Sequence, residues 1–189
     1  MSDIHDIETI DRVLKGDVHA FAEIIEKYRD RVFRYVYVKF GNYDEAMDIT
    51  QEIFIMTFES LEKFRRESKF STWLYSIMVN YGKNHQKKAN RYRSVSIDRV
   101  HGDDFEFQLT DERENPERQV VDRDSLRIVK EELFNLPDDY REILVLRDIE
   151  GLPYNEISRI LGIGLSNVKV RIHRGRELLK ERLQEKKLI

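Results

Sequence analysis

The stretch YNEISRILGIGLSNVKVRIHRGRELL, residues 154–179, decides the fold. Two short apolar-periodic runs flank a turn holding Gly162 and Gly164. At ~100° per residue, Val168, Ile172, Gly175 and Leu179 fall within one narrow arc, the predicted core side. Ser166, Val170, His173, Arg174 and Glu177 fall opposite, and Lys169, Arg171 and Arg176 flank the arc. Helix, glycine turn, helix is the layout of a helix-turn-helix, whose second helix enters the major groove of DNA. The outward residues can read base edges, and the long cations lie where phosphate rails would run. Ser166 or Asn167 is expected to cap this helix, and its free N–H groups could meet a phosphate. The competing reading is a solvated basic helix. Gly175 in a helix interior costs ~1 kcal/mol relative to Ala, which close approach of a neighbouring helix would justify.

Working outward, residues 125–189 form a second helical unit. Leu126 to Asn135 is one predicted helix, Pro137 starts the next, and Gly151 ends that segment. Tyr140, Ile143 and Leu144 give its buried face. The segment 94–124, containing HGDDFEFQLTDERENPER, loses periodicity and is read as an acidic flexible linker. From Asp98 to Asp124 there are ten acids against four bases, while Ser166 to Ile189 carries eight Lys/Arg against three acids. The net charge of −3 therefore hides a polarity that still permits polyanion binding.

Residues 1–93 form the first unit. Residues 17–40 read as a helix, with Phe21, Ile24, Ile25, Tyr28, Val32, Tyr35 and Val36 at helical spacing. Gly41-Asn42 is a stop and turn. Asp44 to Phe64 reads as a second helix, with Ala46, Ile49, Ile53 and Met56 on one side and Phe54, Phe58 and Leu61 on another, so it is apolar on most of its girth and central to a bundle. Its remaining stripe is Asp48, Gln51, Glu52, Ile55, Glu59 and Glu62. That stripe reads equally as a solvated face or as a docking face for a partner helix. Ser71 is expected to cap a third helix running to about Arg91, with Phe70, Trp73, Leu74, Ile77 and Tyr81 buried and Gly82 a weak point.

A second basic stretch, NYGKNHQKKANRYR, residues 80–93, holds five Lys/Arg and no acid. Asn80, Asn84, Lys87, Lys88 and Arg91 lie on one stripe beside Trp73, Tyr75 and Tyr81. Cations with aromatics suit single-stranded or opening DNA, although Trp73 reads better as core. Arg65, Arg66 and Lys69 of the preceding connection could add phosphate contacts.

The chain of 189 residues reads as all-α: two small helical bundles joined by the linker. Few glycines and prolines argue against an all-β chain. There is no cysteine, so disulfides and thiol catalysis are excluded. No phosphate-binding, serine-hydrolase or zinc-protease motif occurs. Neither an enzyme activity, a cofactor, a metal site nor a small-molecule substrate is expected. The acidic N-terminus has no signal-peptide character, and no run approaches the ~18 apolar residues of a membrane span, so a cytoplasmic protein is expected.

Four ordered stretches resemble the extracytoplasmic-function (ECF) sigma factors of bacterial RNA polymerase. They are DEAMDITQEIFIMTF (44–58), FSTWLYSIMVNYGKN (70–84), LPDDYREILVLRDIEGLPYNEISRILGI (136–163) and VKVRIHRGRELL (168–179). The resemblance implies that residues 1–93 are a region 2 domain. It would dock on the clamp helices of the largest catalytic subunit of core RNA polymerase through Asp48, Gln51, Glu52 and Ile55. The same domain would recognise and melt the minus-ten element through Arg65, Arg66, Lys69, Asn80, Asn84, Lys87, Lys88 and Arg91. Residues 94–124 would be the linker. Residues 125–189 would be a region 4 domain reading the minus-thirty-five element of promoter DNA through Ser166, Asn167, Lys169, Val170, Arg171, His173 and Arg174. It also implies an anti-sigma factor as a partner. Met47 departs from the family pattern at the clamp-facing stripe, and Gly164, Asn167 and Val170 depart from it in the helix-turn-helix, which bears on the exact promoter sequence and not on the role. Residues 140–179 alone would also allow a stand-alone helix-turn-helix regulator, but that would leave the first 93 residues unexplained.

Overall fold

The computed structural model describes residues 2–92, 125, 127–186 and 188, with the side chains of residues 2, 3 and 86–92 outside the description. The linker read over 94–124, with its Phe105, Phe107 and Leu109, lies outside the described residues. Every regular element among the described residues is helical. Contacts divide the chain into two compact helical units.

The first unit is built on α1 (Ser2–Leu14), α2 (Phe21–Phe40), α3 (Tyr43–Glu59) and α4 (Phe70–Tyr92). Gly41 ends α2 in the left-handed region at φ 81°, and its N–H donates to the Tyr37 carbonyl at 2.9 Å. Asn42 then caps α3, its Oδ1 accepting from the Glu45 N–H at 2.9 Å. The predicted stop and turn is thus a paired cap. Ile24, Tyr28, Val32, Tyr35 and Val36 of α2 pack the core, as their spacing predicts. On α3 the buried set is Ala46, Ile49, Ile53 and Phe54 with Thr50 and Thr57, whose hydroxyls donate back to the Ala46 and Ile53 carbonyls. The helix is half-buried lengthwise: Met56 and Phe58, expected inside, are exposed at the edges of its outer face.

Helix α4 begins at Phe70, not behind a Ser71 cap, because the Trp73 N–H already donates to the Lys69 carbonyl at 3.2 Å. Its buried face is also rotated from the expected one. Phe70, Leu74, Tyr75, Met78 and Val79 are buried, while Trp73, Ile77 and Tyr81 are only half-buried. Tyr75 meets Tyr35 edge-on with ring centroids 6.2 Å apart, so it is core and not a stacking platform.

Helix α1 precedes the first predicted helix, although Ile4, Ile7, Ile10 and Val13 recur at helical spacing; polar groups fix it as much as apolar ones. Ile10 and Val13 are buried beside Asp6 and Thr9. Asp6, only 1% exposed, accepts from the Tyr28 hydroxyl at 2.7 Å and pairs with Lys27. Arg12 donates to Glu23 at 2.7 Å and to Asp17 at 2.9 Å, and the Thr9 hydroxyl donates to Glu23 at 3.1 Å. The bond from Arg12, then that from Thr9, holds the Glu23 carboxyl below its ordinary range.

In the second unit, α5 (127–134) leads to α6 (Asp138–Leu144), which Pro137 initiates and whose last turn widens into a π-turn over Val145–Ile149. Gly151, at φ 68°, ends it. Then follow α7 (Tyr154–Leu161) and α8 (Leu165–Glu185). Ile143, Leu144, Val168 and Ile172 are buried together with Leu133 and Leu183. Gly175 lies where α8 presses on α6: a Cβ there would stand 3.3 Å from Leu144 Cγ. Close helix approach is therefore what the glycine permits. Buried Glu132 of α5 accepts from Arg182 at 3.3 Å, with Lys186 at 3.8 Å, fastening α5 to the far end of α8.

Candidate nucleic-acid and partner interfaces

On α8 the buried Val168–Ile172–Gly175 arc fixes which way the rest of the helix faces. Ser166, Asn167, Lys169, Val170, His173 and Arg174 are all exposed, and Val170 keeps 43% of its surface open. A valine so exposed among polar residues is the kind of group that meets a thymine methyl. Neither Ser166 nor Asn167 caps the helix. Gly164 occupies the cap position and makes no side-chain bond, and the two polar residues lie in the first turn. The turn is instead closed by Ser158, whose hydroxyl donates to the Ile163 carbonyl at 2.6 Å while the Ile163 N–H returns to the Ser158 carbonyl at 3.2 Å.

The flanking cations are not equivalent. Arg171 is half-buried and pairs with Asp139 at 3.1 Å. Arg176 is held by both carboxylate oxygens of Asp148, and that bonding raises its pKa further. Lys169 and Arg174 are exposed. A groove of about 400 Å³ runs between the start of α6 and this face, lined by Pro137, Tyr140, Val170, Arg171 and Arg174 among others. The two carboxylate partners stand 28 and 32 residues from their arginines in sequence, so no local spacing announces either pair.

Gly164 sits at φ −64°, ψ 149°, a conformation any L-residue adopts, and a Cβ there meets nothing within 4 Å. Gly164→Ala is expected to change the stability of this unit by less than about 0.5 kcal/mol, because restricting the unfolded chain is offset at this N-cap, where alanine is poorer than glycine. A thermal melt displaced by more than ~5 °C either way would refute this. The same φ is the one proline imposes.

In the first unit, Asp48, Gln51, Glu52 and Ile55 all lie on the exposed side of α3, and Ile55 is 57% exposed. Glu52 is fixed from α4: the Tyr81 hydroxyl donates to its Oε2 at 2.5 Å. Desolvation first, and then this bond, push the Tyr81 hydroxyl well above the usual phenol range. Tyr81 also stacks on His85, with centroids 5.7 Å apart. Neither contact was predicted; their positions on α4 offered the signal, one turn apart and facing α3.

Asn80 and Asn84 are exposed on α4. Lys87, Lys88 and Arg91 are on the same helix, with side chains outside the description. Before α4, Phe64 is buried against Phe70 and Trp73, centroids 5.6 and 5.3 Å away. Arg65, Arg66 and Lys69 are all exposed, and Arg66 pairs with Asp11 of α1. Among the described residues no cluster of His, Asp and Glu could hold a metal, and no helix is long and apolar enough to cross a membrane.

An N-terminal helical unit with an acidic outer face is followed by a unit with a helix-turn-helix layout, and both match models of the sigma-70 family. Residues 24–92 match Sigma-70 region 2, and residues 126–179 match Sigma-70, region 4. The chain is 37% identical over 178 residues to the ECF RNA polymerase sigma factor SigW of Bacillus subtilis, spanning 93% of this chain and 95% of that one. It is 35% identical over 179 residues to the ECF RNA polymerase sigma-E factor of Escherichia coli K12, spanning 93% and 92%. The chain belongs to the ECF sigma factors. Two solved structures share the fold at 21% identity. One is the sigma factor RpoE bound to the anti-sigma factor NepR from Bartonella quintana, with TM-score 0.70 over 87% of this chain and 96% of that one. The other is CnrH bound to the cytosolic domain of CnrY, with TM-score 0.67 over 96% and 98%.

Proposed function

We propose that this chain binds core RNA polymerase in the cytoplasm, carries it to a defined set of promoters and helps open them. The acidic face of α3, centred on Ile55, docks on the clamp helices. The connection 65–69 and the outer side of α4 take the minus-ten element. The outward arc of α8 reads the minus-thirty-five element as duplex. An anti-sigma factor is a further partner, supported by the sigma factor RpoE being solved in complex with one.

The observation that carries the reading is the α8 face: Ser166, Val170, His173 and Arg174 exposed together, directly opposite buried Val168 and Ile172. No bond chemistry is required of the chain. Its two DNA readers bind weakly through phosphates when alone, with steep salt dependence. Held at fixed spacing on the polymerase, they add as two linked sites. Strand opening is driven by capture of unstacked bases, which offsets the few kcal/mol of unstacking.

The test is reconstitution. The purified chain is mixed with bacterial core polymerase and genomic promoter fragments, and transcript starts are sequenced. Starts that appear only with this chain and share two upstream motifs at fixed spacing are expected. Arg174→Ala should lose the upstream motif while retaining polymerase binding; Gln51→Ala should weaken polymerase binding itself. Tight binding of the chain alone to a palindromic operator, with none to polymerase, would overturn the reading.

A further inference from the structure

Arg66 is the one residue other than glycine with positive φ among the described residues, at 61°. Its Cβ makes that left-handed conformation unfavourable, and such a residue persists only where its surroundings over-determine it. Two things do so here. Phe64 and Phe70, both buried and in ring contact, pin the ends of the connection. Between them, the Arg66 guanidinium donates through Nη2 to Oδ1 of Asp11, a residue 55 positions earlier on α1.

We propose that Arg66 is a positioning residue, not a DNA contact: clamped by Asp11, it makes α1 the brace that sets the conformation of the minus-ten loop. The inference rests on the proposed role of the 65–69 connection at the minus-ten element. Asp11 and Arg66 are each partly exposed, so their pair contributes little to global stability. The left-handed turn at Arg66 is unfavourable by itself, so even a weak pair shifts how fully the connection holds it. The loop then presents Arg65 and Lys69 in one arrangement, with the third cation paired to Asp11.

The sign of one substitution separates the brace from a direct contact. If Arg66 touched phosphate, the Asp11 carboxylate would compete with DNA, and removing it would tighten binding. If Arg66 is a brace, removing Asp11 must weaken binding. The experiment uses holoenzyme formed from the full chain and core polymerase. Its probe is a labelled non-template oligonucleotide carrying the minus-ten motif found by reconstitution. Asp11→Ala and Arg66→Ala are each expected to weaken binding by about 2- to 5-fold, the double variant no further, with melting temperatures unchanged. The exchanged pair Asp11→Arg/Arg66→Asp should recover the loss. Arg66→Gly, which adopts the left-handed turn freely, should bind better than Arg66→Ala. Tighter or unaltered binding by Asp11→Ala, with Arg66→Ala and Arg66→Gly equally weak and the salt slope reduced by about one, would overturn the brace in favour of a phosphate contact. Unaltered binding by Arg65→Ala and Lys69→Ala as well would show that the loop does not meet this DNA, and the brace would fall with that reading.

Discussion

Ile55→Glu should weaken binding to core RNA polymerase by at least ~30-fold, the effect of deleting an interface hot spot of ~2 kcal/mol. Ile55 is 57% exposed at the centre of an arc that also holds Asp48, Gln51 and Glu52. A large aliphatic side chain surrounded by carboxylates is unfavourable in water unless something covers it, and the polar ring around it suits the rim of an interface. Glutamate there removes the apolar anchor and adds like charge to the face. The fold should not notice, since glutamate is at least as good a helix former as isoleucine and nothing is unpacked. Titration of labelled core polymerase with wild-type and variant chains, beside their thermal melts, measures both. Equal affinity for polymerase would remove α3 from the docking face. A fall in melting temperature would mean that Ile55 is packed rather than presented.

That face was legible in the sequence as a stripe but not as a surface, and the difference is instructive. Ile49 and Ile53 are buried, as their spacing with Ala46 predicts. Spacing failed for Met56 and Phe58, which sit at the edges of the arc, where a few degrees of rotation decide exposure. The same error rotated α4, so that Tyr75 and Val79 were missed and Trp73 and Ile77 overstated. Side chains at a flank are settled by the neighbour's shape, which spacing does not encode.

The helix-turn-helix was the most readable part. Val168, Ile172 and Gly175 inside, with Ser166, Val170, His173 and Arg174 outside, follow from one rotation angle, and the structure has them so. What spacing could not supply was the pairing of charges across distance. Arg171 with Asp139, Arg176 with Asp148 and Arg66 with Asp11 each join residues from separate elements. Three cations that look alike in sequence to Lys169 and Arg174 are thereby bound to acids. Helix α1 does carry an apolar period in Ile7, Ile10 and Val13; what spacing could not supply there is its latch, a buried Asp6 and a pair of surface networks.

Leu144→Ala should destabilise the second unit by about 2–5 kcal/mol, enough to unfold much of a unit this small and abolish minus-thirty-five recognition without touching a DNA-facing residue. Leu144 is 2% exposed and is the side chain against which α8 approaches at Gly175. Its loss leaves a cavity between α6 and α8, and α8 carries the proposed reading face. The glycine opposite supplies an internal control. In the wild type, Gly175→Ala gains ~1 kcal/mol of helix propensity but forces Leu144 to yield from a 3.3 Å approach, so the two effects oppose. In the Leu144→Ala background nothing crowds the new methyl, so the full propensity gain should appear and part of the cavity should fill. The double-mutant cycle, measured by urea unfolding followed by circular dichroism, should therefore show positive coupling between the two sites. Additive effects would mean that α6 and α8 shift freely against each other. The glycine would then be tolerated by that contact rather than required by it.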